Sequence, residues 1–243
     1  MNTNHDSIYD PNYVRQLFNR MSGSYERMNY ITSFGFSIRW RKQLLKNLKV
    51  PAEKVKLIDL LTGMGETWGA VKTKFPNSEI YALDFSEEMI KHASQKNDKQ
   101  FSQSVHIIQK DVLNSELPTE YFDIIICAFG LKTFNQEQLN HLARETKRIL
   151  KPGGQFAFVE VSKPNNLLLY YLYRFYLGKV IPILGWLFLG NPREYKMLWK
   201  YTYLFKDSIN AAEIFKSEGL QTKYDTYFFG CASGFHGYKK DSA

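Results

Sequence analysis

Short apolar runs alternate with amphipathic stretches from about residue 55 onward. Val55-Lys-Leu-Ile-Asp59 is an apolar run closed by an acid and followed by Thr62-Gly63-Met64-Gly65, which predicts a strand and then a tight turn. Residues 66–75 read as a helix stopped by Pro76-Asn77. Glu79 to Asp84 is a second strand ending in an acid. Ser86 is the N-cap of the next helix, which carries Glu87 and Glu88 in its first turn and runs to about Gln95. Val105 to Gln109 is a third strand with Asp111 just past it. Phe122 to Cys127 is a fourth, apolar enough throughout to lie centrally in a parallel sheet. Asn135 to Leu150 predicts a helix ended by Lys151-Pro-Gly-Gly154, and Gln155 to Val161 a fifth strand.

This succession predicts an α/β fold built on a doubly wound, mostly parallel sheet, with its ligand edge at the strand C-termini. The flanks depart from the repeat. Residues 1–50 read as helical (Tyr13 to Met21, then Ile38 to Leu48), and residues 207–218 as another helix. Gln221 to Phe229 and Cys231 to Tyr238 are β-runs parted at Gly230, suited to a hairpin. With no internal repeat and no Gly/Ser linker, residues 1–243 are expected to form a single domain, with 1–50 as an N-terminal helical segment and 164–206 as a helical cap insertion. The apolar stretch 166–189 nears the ~20 residues of a membrane span. Arg174, Lys179, Pro182 and two glycines interrupt it, so a cap over an apolar pocket or a segment dipping into a membrane interface is expected instead.

Composition narrows the class. With 44% hydrophobic and 23% charged residues the chain is neither disordered nor collagen-like. Cys127 and Cys231 sit in apolar runs and read as packed thiols in a reducing cytosol. The polar start lacks the basic-then-apolar pattern of a secretory signal, so a cytoplasmic protein is expected. The net charge of +8 is concentrated: residues 1–50 and 164–206 each carry +5, and the second region is also rich in Tyr, Phe and Trp. Basic plus aromatic suits nucleic acid or an anionic membrane surface. Nucleic acid is the weaker reading, because the charges interleave with long apolar runs.

The loop after the first strand carries two glycines but has Trp68 where a dinucleotide fingerprint needs its third glycine. Asp84 ends the second strand, 19 residues beyond Gly65, where a carboxylate can hold both ribose hydroxyls. Asp111 follows the third, where an acid can accept from an adenine amino group. Acids at successive strand ends beside a glycine loop without a P-loop lysine read as an adenosine site of the kind used for S-adenosylmethionine.

Several stretches carry a closer likeness: Phe18-Asn-Arg-Met-Ser-Gly-Ser-Tyr25-Glu-Arg-Met-Asn29, Ser33-Phe-Gly35, Trp40-Arg-Lys42, Asp59-Leu-Leu-Thr-Gly-Met-Gly-Glu66, Phe129-Gly-Leu-Lys132, Leu150-Lys-Pro-Gly-Gly154, Glu160-Val-Ser-Lys-Pro164 and His236-Gly-Tyr-Lys239. Through them the chain resembles the ubiquinone/menaquinone biosynthesis C-methyltransferase family of class I S-adenosylmethionine-dependent methyltransferases, over nearly its whole length. The resemblance implies a Rossmann-like, seven-stranded sheet and methyl transfer to a ring carbon of a polyprenylated quinol. It implies a cofactor site on Asp59, Thr62, Gly63, Met64 and Gly65 of the loop, on Asp84 and Phe85, on Asp111 and Val112, and on Ala128. It puts the lipophilic acceptor near Tyr25, Asn29, Phe129, Lys132, Tyr170 and Tyr173, with Lys132 as the candidate catalytic residue and no metal. The expected partners are that acceptor and, peripherally, an anionic membrane; a homodimer is left open.

The chain departs from the family at five points, the mildest being Glu26 where Asp is usual. Met64 stands where Thr is usual, Leu61 where Ala is, and Ala128 where Ser is. The usual Phe-Gly-Leu-Arg-Asn is here Phe-Gly-Leu-Lys132-Thr133, and Lys keeps the charge but not the planar fork of Arg. These changes keep two alternatives open, a different phenolic or isoprenoid acceptor and a non-catalytic relative.

Overall fold

The computed structural model describes residues 7–33, 35–164, 166–181, 183 and 192–241, and the backbone alone for 24–32, 177, 192–196 and 198. Seven strands form one sheet in the order β3-β2-β1-β4-β5-β7-β6. They are β1 (Lys56–Leu60), β2 (Glu79–Asp84), β3 (Val105–Gln109), β4 (Phe122–Ala128), β5 (Leu150–Val161), β6 (Gln221–Tyr227) and β7 (Ala232–Tyr238). The first five are parallel; β7 runs antiparallel to both β5 and β6, which gives the C-terminal hairpin. The strand order reverses outward from β1 and β4, and the crevice of such a sheet opens there, at the strand C-termini.

Eight α-helices surround it: α1 (Pro11–Thr32), α2 (Phe36–Lys46), α3 (Trp68–Lys74), α4 (Glu87–Gln100), α5 (Gln136–Ile149), α6 (Leu167–Phe175), α7 (Pro192–Phe205) and α8 (Ile209–Ser217) among the described residues. Their starts follow the local sequence. Ser86 accepts from the Met89 amide as N-cap of α4, and Asn135 with Gln138 closes a reciprocal capping box on α5. Strand β4 is buried along both faces, as its unbroken apolar run requires. Ile125 and Cys127 point into a core with Leu142, Phe156, Phe158, Phe215 and Phe235, while Ile124 and Ile126 point to the opposite face with Trp40, Leu44, Trp68 and Val71. Both cysteines are buried free thiols.

Three expected boundaries move, the first being α4, which runs on to Gln100 rather than stopping near Gln95. The Lys-Pro-Gly-Gly turn does not separate helix from strand. Leu150 pairs with Phe122 as soon as α5 ends, and the next paired residues are Ile124 and Gln155, so residues 151–154 bulge inside β5. The Gly153 amide donates to the Lys239 carbonyl at 2.9 Å and the Lys239 amide to the Gly154 carbonyl at 3.0 Å, which stitches the bulge to the end of the chain. The first helix also runs further than expected, from Pro11 to Thr32.

The 164–206 insertion holds α6, a single π-helical turn (Tyr176–Val180) and α7. Trp186 and Phe188 lie outside the described residues. No residue of α6 is buried, and Leu168, Tyr171, Leu172 and Phe175, spaced i, i+3, i+4 and i+7, all face outward. Among the described residues no helix is long and apolar enough to cross a membrane.

Candidate functional site

A cleft opens over the C-terminal ends of β1, β2, β3 and β4. Its floor begins with the loop after β1. Gly63 and Gly65 both have positive φ, 59° and 76°, as a turn this tight requires. A Cβ on Gly65 would lie 2.7 Å from the Trp68 indole, so the missing side chain is what lets Trp68 pack beneath the loop. There the indole N–H donates to Thr62 Oγ1 at 2.9 Å, and Thr62 donates to Asp59 Oδ2 at 2.7 Å. The residue that spoils a dinucleotide fingerprint is the fastener of this loop. On the far side, Leu61 lies hard against Gly130, where any Cβ would collide with it.

Each strand end then adds one acid. Asp84 accepts from the Gly63 amide at 2.8 Å and the Ser86 amide at 3.0 Å, locking the loop to the end of β2. Burial pushes its carboxyl up to about 6, against those backbone hydrogen bonds. Asp59 is pushed up to about 7, again chiefly by burial, opposed by the Thr62 hydroxyl and the Arg41 charge. Asp111 accepts from the Leu113 amide at 2.9 Å and also lines the cleft, so it is both a cap and a site residue. At the end of β4, Phe129 takes a positive φ of 70° and its amide donates to the Val159 carbonyl at 2.8 Å.

The N-terminal segment forms the remaining wall. Tyr9, Val14 and Phe18 face the cleft. Gln138 Nε2 donates to the Tyr9 carbonyl at 3.0 Å, and the Tyr201 hydroxyl donates to the Ile8 carbonyl at 2.5 Å. Asn19 binds the start of α4, accepting from the Ser86 hydroxyl at 2.6 Å and donating to Glu87 at 2.7 Å. The Phe18-Asn19 pair of the N-terminal motif thus docks that helix beside Asp84.

Of the residues expected at the cofactor, Thr62, Gly63, Asp84, Phe85, Asp111 and Ala128 line the cleft. Asp59, Met64, Gly65 and Val112 stand behind it. Asp59 anchors Thr62, and Met64 packs with Leu17, Met21 and Met89 under the N-terminal helix. Of the residues expected at the acceptor, Phe129 lines the cleft and Thr133 joins it. Tyr170 and Tyr173 do not: Lys163 sits over the Tyr170 ring, and the Tyr173 hydroxyl donates to the Cys231 carbonyl at 3.4 Å. The side chains of Tyr25 and Asn29 lie outside the described residues. Lys132 is buried and does not line the cleft. Its ammonium lies 2.6 Å from Glu160 Oε1 and 3.1 Å from the Phe129 carbonyl oxygen, while the Lys132 amide donates to Glu160 Oε2 at 3.2 Å.

Sequence reasoning missed Arg41, Glu66 and Gln138, all of which line the cleft. Arg41 lay inside the Trp40-Arg-Lys42 motif and Glu66 closed the glycine loop, so the residues were in view, but nothing local says that α2 leans over β4. The donor set fits an adenosine-bearing cation. Glu66, Asp84 and Asp111 face Arg41 as the one cation among the described lining residues, and an apolar wall of Leu61, Leu113, Phe129 and Phe134 stands beside them.

A model of the ubiE/COQ5 methyltransferase family matches residues 6–239. The chain is 30% identical over 230 residues to a demethylmenaquinone methyltransferase of Listeria monocytogenes serotype 4a, covering 93% of this chain and 95% of that one. It is 30% identical over 229 residues to the protein of the same name from Geobacillus stearothermophilus, covering 93% and 97%. Among solved structures, a Thermotoga maritima S-adenosylmethionine-dependent methyltransferase, described as a possible histamine N-methyltransferase, superposes with a TM-score of 0.64 at 17% identity, over 93% of this chain and 99% of that one. A putative S-adenosylmethionine-dependent methyltransferase from Methanococcus maripaludis gives 0.60 at 17% identity over 94% of each. At such identities these two structures speak for the fold.

Proposed function

The chain belongs to the ubiE/COQ5 methyltransferase family and is an S-adenosylmethionine-dependent methyltransferase, and from that premise we propose that it methylates a ring carbon of a lipophilic quinol. The observation that carries the proposal is the two-sided cleft, acidic over the ends of β1 to β3 and apolar at the end of β4 and along the N-terminal helix. The bound cofactor supplies a methyl group on a sulfonium, open to attack from the side opposite its leaving sulfur. Asp84 would accept from ribose hydroxyls and Asp111 from an adenine amino group, both carboxyls lining the cleft. Thr62 and the Gly63 backbone set the height of the floor between them. Phe129, Leu61 and Phe134 keep the acceptor side dry and offer an aromatic ring a flat apolar seat. The ring carbon would take the methyl as its bond to sulfur breaks, with S-adenosylhomocysteine as the leaving group, and would then lose its ring proton to water, which restores the aromatic ring. The residues present favour positioning as the main contribution of the protein.

The acceptor's isoprenoid tail calls for a lipid surface, and the outward face of α6 is suited to one. Leu168, Tyr171, Leu172 and Phe175 form its apolar stripe, with Arg174 and Lys179 beside it and no acid between Glu160 and Glu194. Phe228 and Phe229, between β6 and β7, are exposed on the same edge of the sheet as the cleft. The proposal therefore includes peripheral contact with anionic membrane.

Incubation with methyl-labelled S-adenosylmethionine and a demethylmenaquinol, read by mass spectrometry and NMR, tests the reaction. The expected product carries one new methyl on a ring carbon. A product labelled on oxygen, or turnover of a phenolic acceptor with none of the quinol, would overturn the quinol reading and favour the second one, which Lys132-Thr133 in place of Arg-Asn motivates.

A further inference from the structure

Arg41 and Glu66 face each other across the end of the cleft nearest β4, and neither is fully satisfied. Arg41 is 6% exposed, and its guanidinium lies 4.7 Å above the Phe129 ring. Its Nη2 is 3.5 Å from Glu66 Oε1, too long for the charge-assisted hydrogen bond that such a pair normally makes. Arg41 Nε and Glu66 Oε1 are both buried without a hydrogen-bond partner. Glu66 is held in place by its other oxygen, which accepts from the Met64 amide at 3.2 Å. Buried charged atoms left unpaired are costly, and a pair of opposite sign lining one end of a cleft suits a ligand that carries both signs at its own end.

The strand order says which end of the ligand that is. β3, β2, β1 and β4 are consecutive neighbours, so Asp111, Asp84, Gly63 and Phe129 stand in a row along one edge, with strands about 4.8 Å apart. A ligand with its base at Asp111 and its ribose at Asp84 reaches the glycine loop with its sulfur and the β4 end with whatever lies beyond. In S-adenosylmethionine that is an α-amino acid. We infer that Arg41 binds the α-carboxylate and Glu66 the α-ammonium of the cofactor's methionyl arm. The inference rests on the adenosine placement proposed above. It makes α2 a part of the cofactor site, and it gives the Trp40-Arg-Lys42 motif a task. The signs also suit the ligand, because three lining carboxylates and one guanidinium make the cleft net negative and the cofactor, with a sulfonium, an ammonium and a carboxylate, is net positive.

Calorimetry with two unreactive ligands separates this role from a structural one. S-adenosylhomocysteine carries the amino-acid arm, and 5′-methylthioadenosine lacks it. Wild-type protein is expected to prefer the first by at least about tenfold, the scale of a charge-assisted hydrogen bond. Arg41→Met should lower affinity for S-adenosylhomocysteine by about 10–100-fold while leaving 5′-methylthioadenosine within about threefold, so that the two converge. Equal losses for both ligands would overturn the inference and assign Arg41 to packing on Phe129. Should Arg41→Met unfold, the wild type still decides: decarboxylated S-adenosylhomocysteine is expected to bind at least about tenfold more weakly than the parent, and equal binding overturns the inference. If the wild type binds S-adenosylhomocysteine but neither Asp84→Ala nor Asp111→Ala weakens 5′-methylthioadenosine, the adenosine placement fails instead.

Discussion

The Trp68 indole N–H and the Thr62 hydroxyl meet at 2.9 Å, and through that hydroxyl the contact continues to the carboxylate of Asp59 at 2.7 Å. Three side chains from a strand, a turn and a helix start are thus joined beneath a loop whose two glycines give it no side-chain support of its own. All three are buried, so each bond is made away from competing water.

Removing the middle of that chain should hurt more than removing its end. Trp68→Phe loses one neutral hydrogen bond and part of the ring, with an expected cost of about 1–2 kcal/mol. Thr62→Val keeps the shape but strands both the indole N–H and the Asp59 carboxylate, at roughly 1–3 kcal/mol for each. Chemical denaturation ranks the two variants. Cofactor affinity should fall in Thr62→Val as well, because the loop that also holds Asp84 loses its anchor.

The buried acids make stability depend on pH. Burial raises Asp59 to about 7 and Asp84 to about 6, from 3.8 in an unfolded chain. Between those values the folded protein holds protons that the unfolded chain has lost. The stabilising contribution of these groups is therefore complete in acid and erodes as pH rises through the folded values. Asp59→Asn removes that dependence at one position. Its melting temperature relative to wild type should climb from pH 4 to about 7 and level off above about 8. A constant difference across that range would show that Asp59 titrates normally.

Much of the sheet was legible because it rests on local, periodic signals. The continuous apolar run at Phe122–Cys127, the N-cap at Ser86 and the acids closing β1 and β2 each state their place in a few residues. The acidic side of the cleft followed, since strand ends converge in any parallel sheet. The acceptor side was harder to read. That Arg41 leans over Phe129, or that Lys132 finds Glu160 across 28 positions of sequence, depends on how helices and strand ends pack. The exposed stripe on α6 was hidden for another reason. Its spacing is that of any core-facing helix, and only the fold shows that none of its residues is buried.

Lys132 should behave as a positioning residue. Its ammonium and its amide both engage Glu160, which also accepts from the Val161 amide at 2.7 Å, so the pair fixes the Phe129–Phe134 loop to the end of β5. Lys132→Met leaves a buried carboxylate without its counter-charge and should cost about 3–5 kcal/mol. Lys132→Met combined with Glu160→Gln should recover most of that loss, as replacing both halves of a buried pair usually does. Thermal unfolding of the single and double variants reads this directly. If the double variant regains stability and also turns over at the wild-type rate, Lys132 takes no part in the chemistry. Recovered stability with turnover still down about 100-fold would restore it as a proton-handling group.

The outward face of α6 makes the membrane proposal open to a test by charge reversal. Leu172 is 57% exposed and Phe175 63%, so each contributes little packing that a polar substitution would remove. Leu172→Glu with Phe175→Glu should therefore leave the melting temperature within a few degrees of wild type. On a bilayer, each of these side chains is worth up to roughly 1.5–3 kcal/mol when fully buried, and an added carboxylate is repelled by anionic headgroups. Flotation with vesicles containing phosphatidylglycerol is expected to fall at least tenfold in the double variant. Raising the salt should weaken wild-type binding without abolishing it, because screening acts on Arg174 and Lys179 but not on the apolar stripe. A variant that floats as well as wild type would remove α6 from the membrane contact. Wild-type protein that ignores anionic vesicles at low salt would end the proposal, leaving the acceptor to arrive in the cleft by another route.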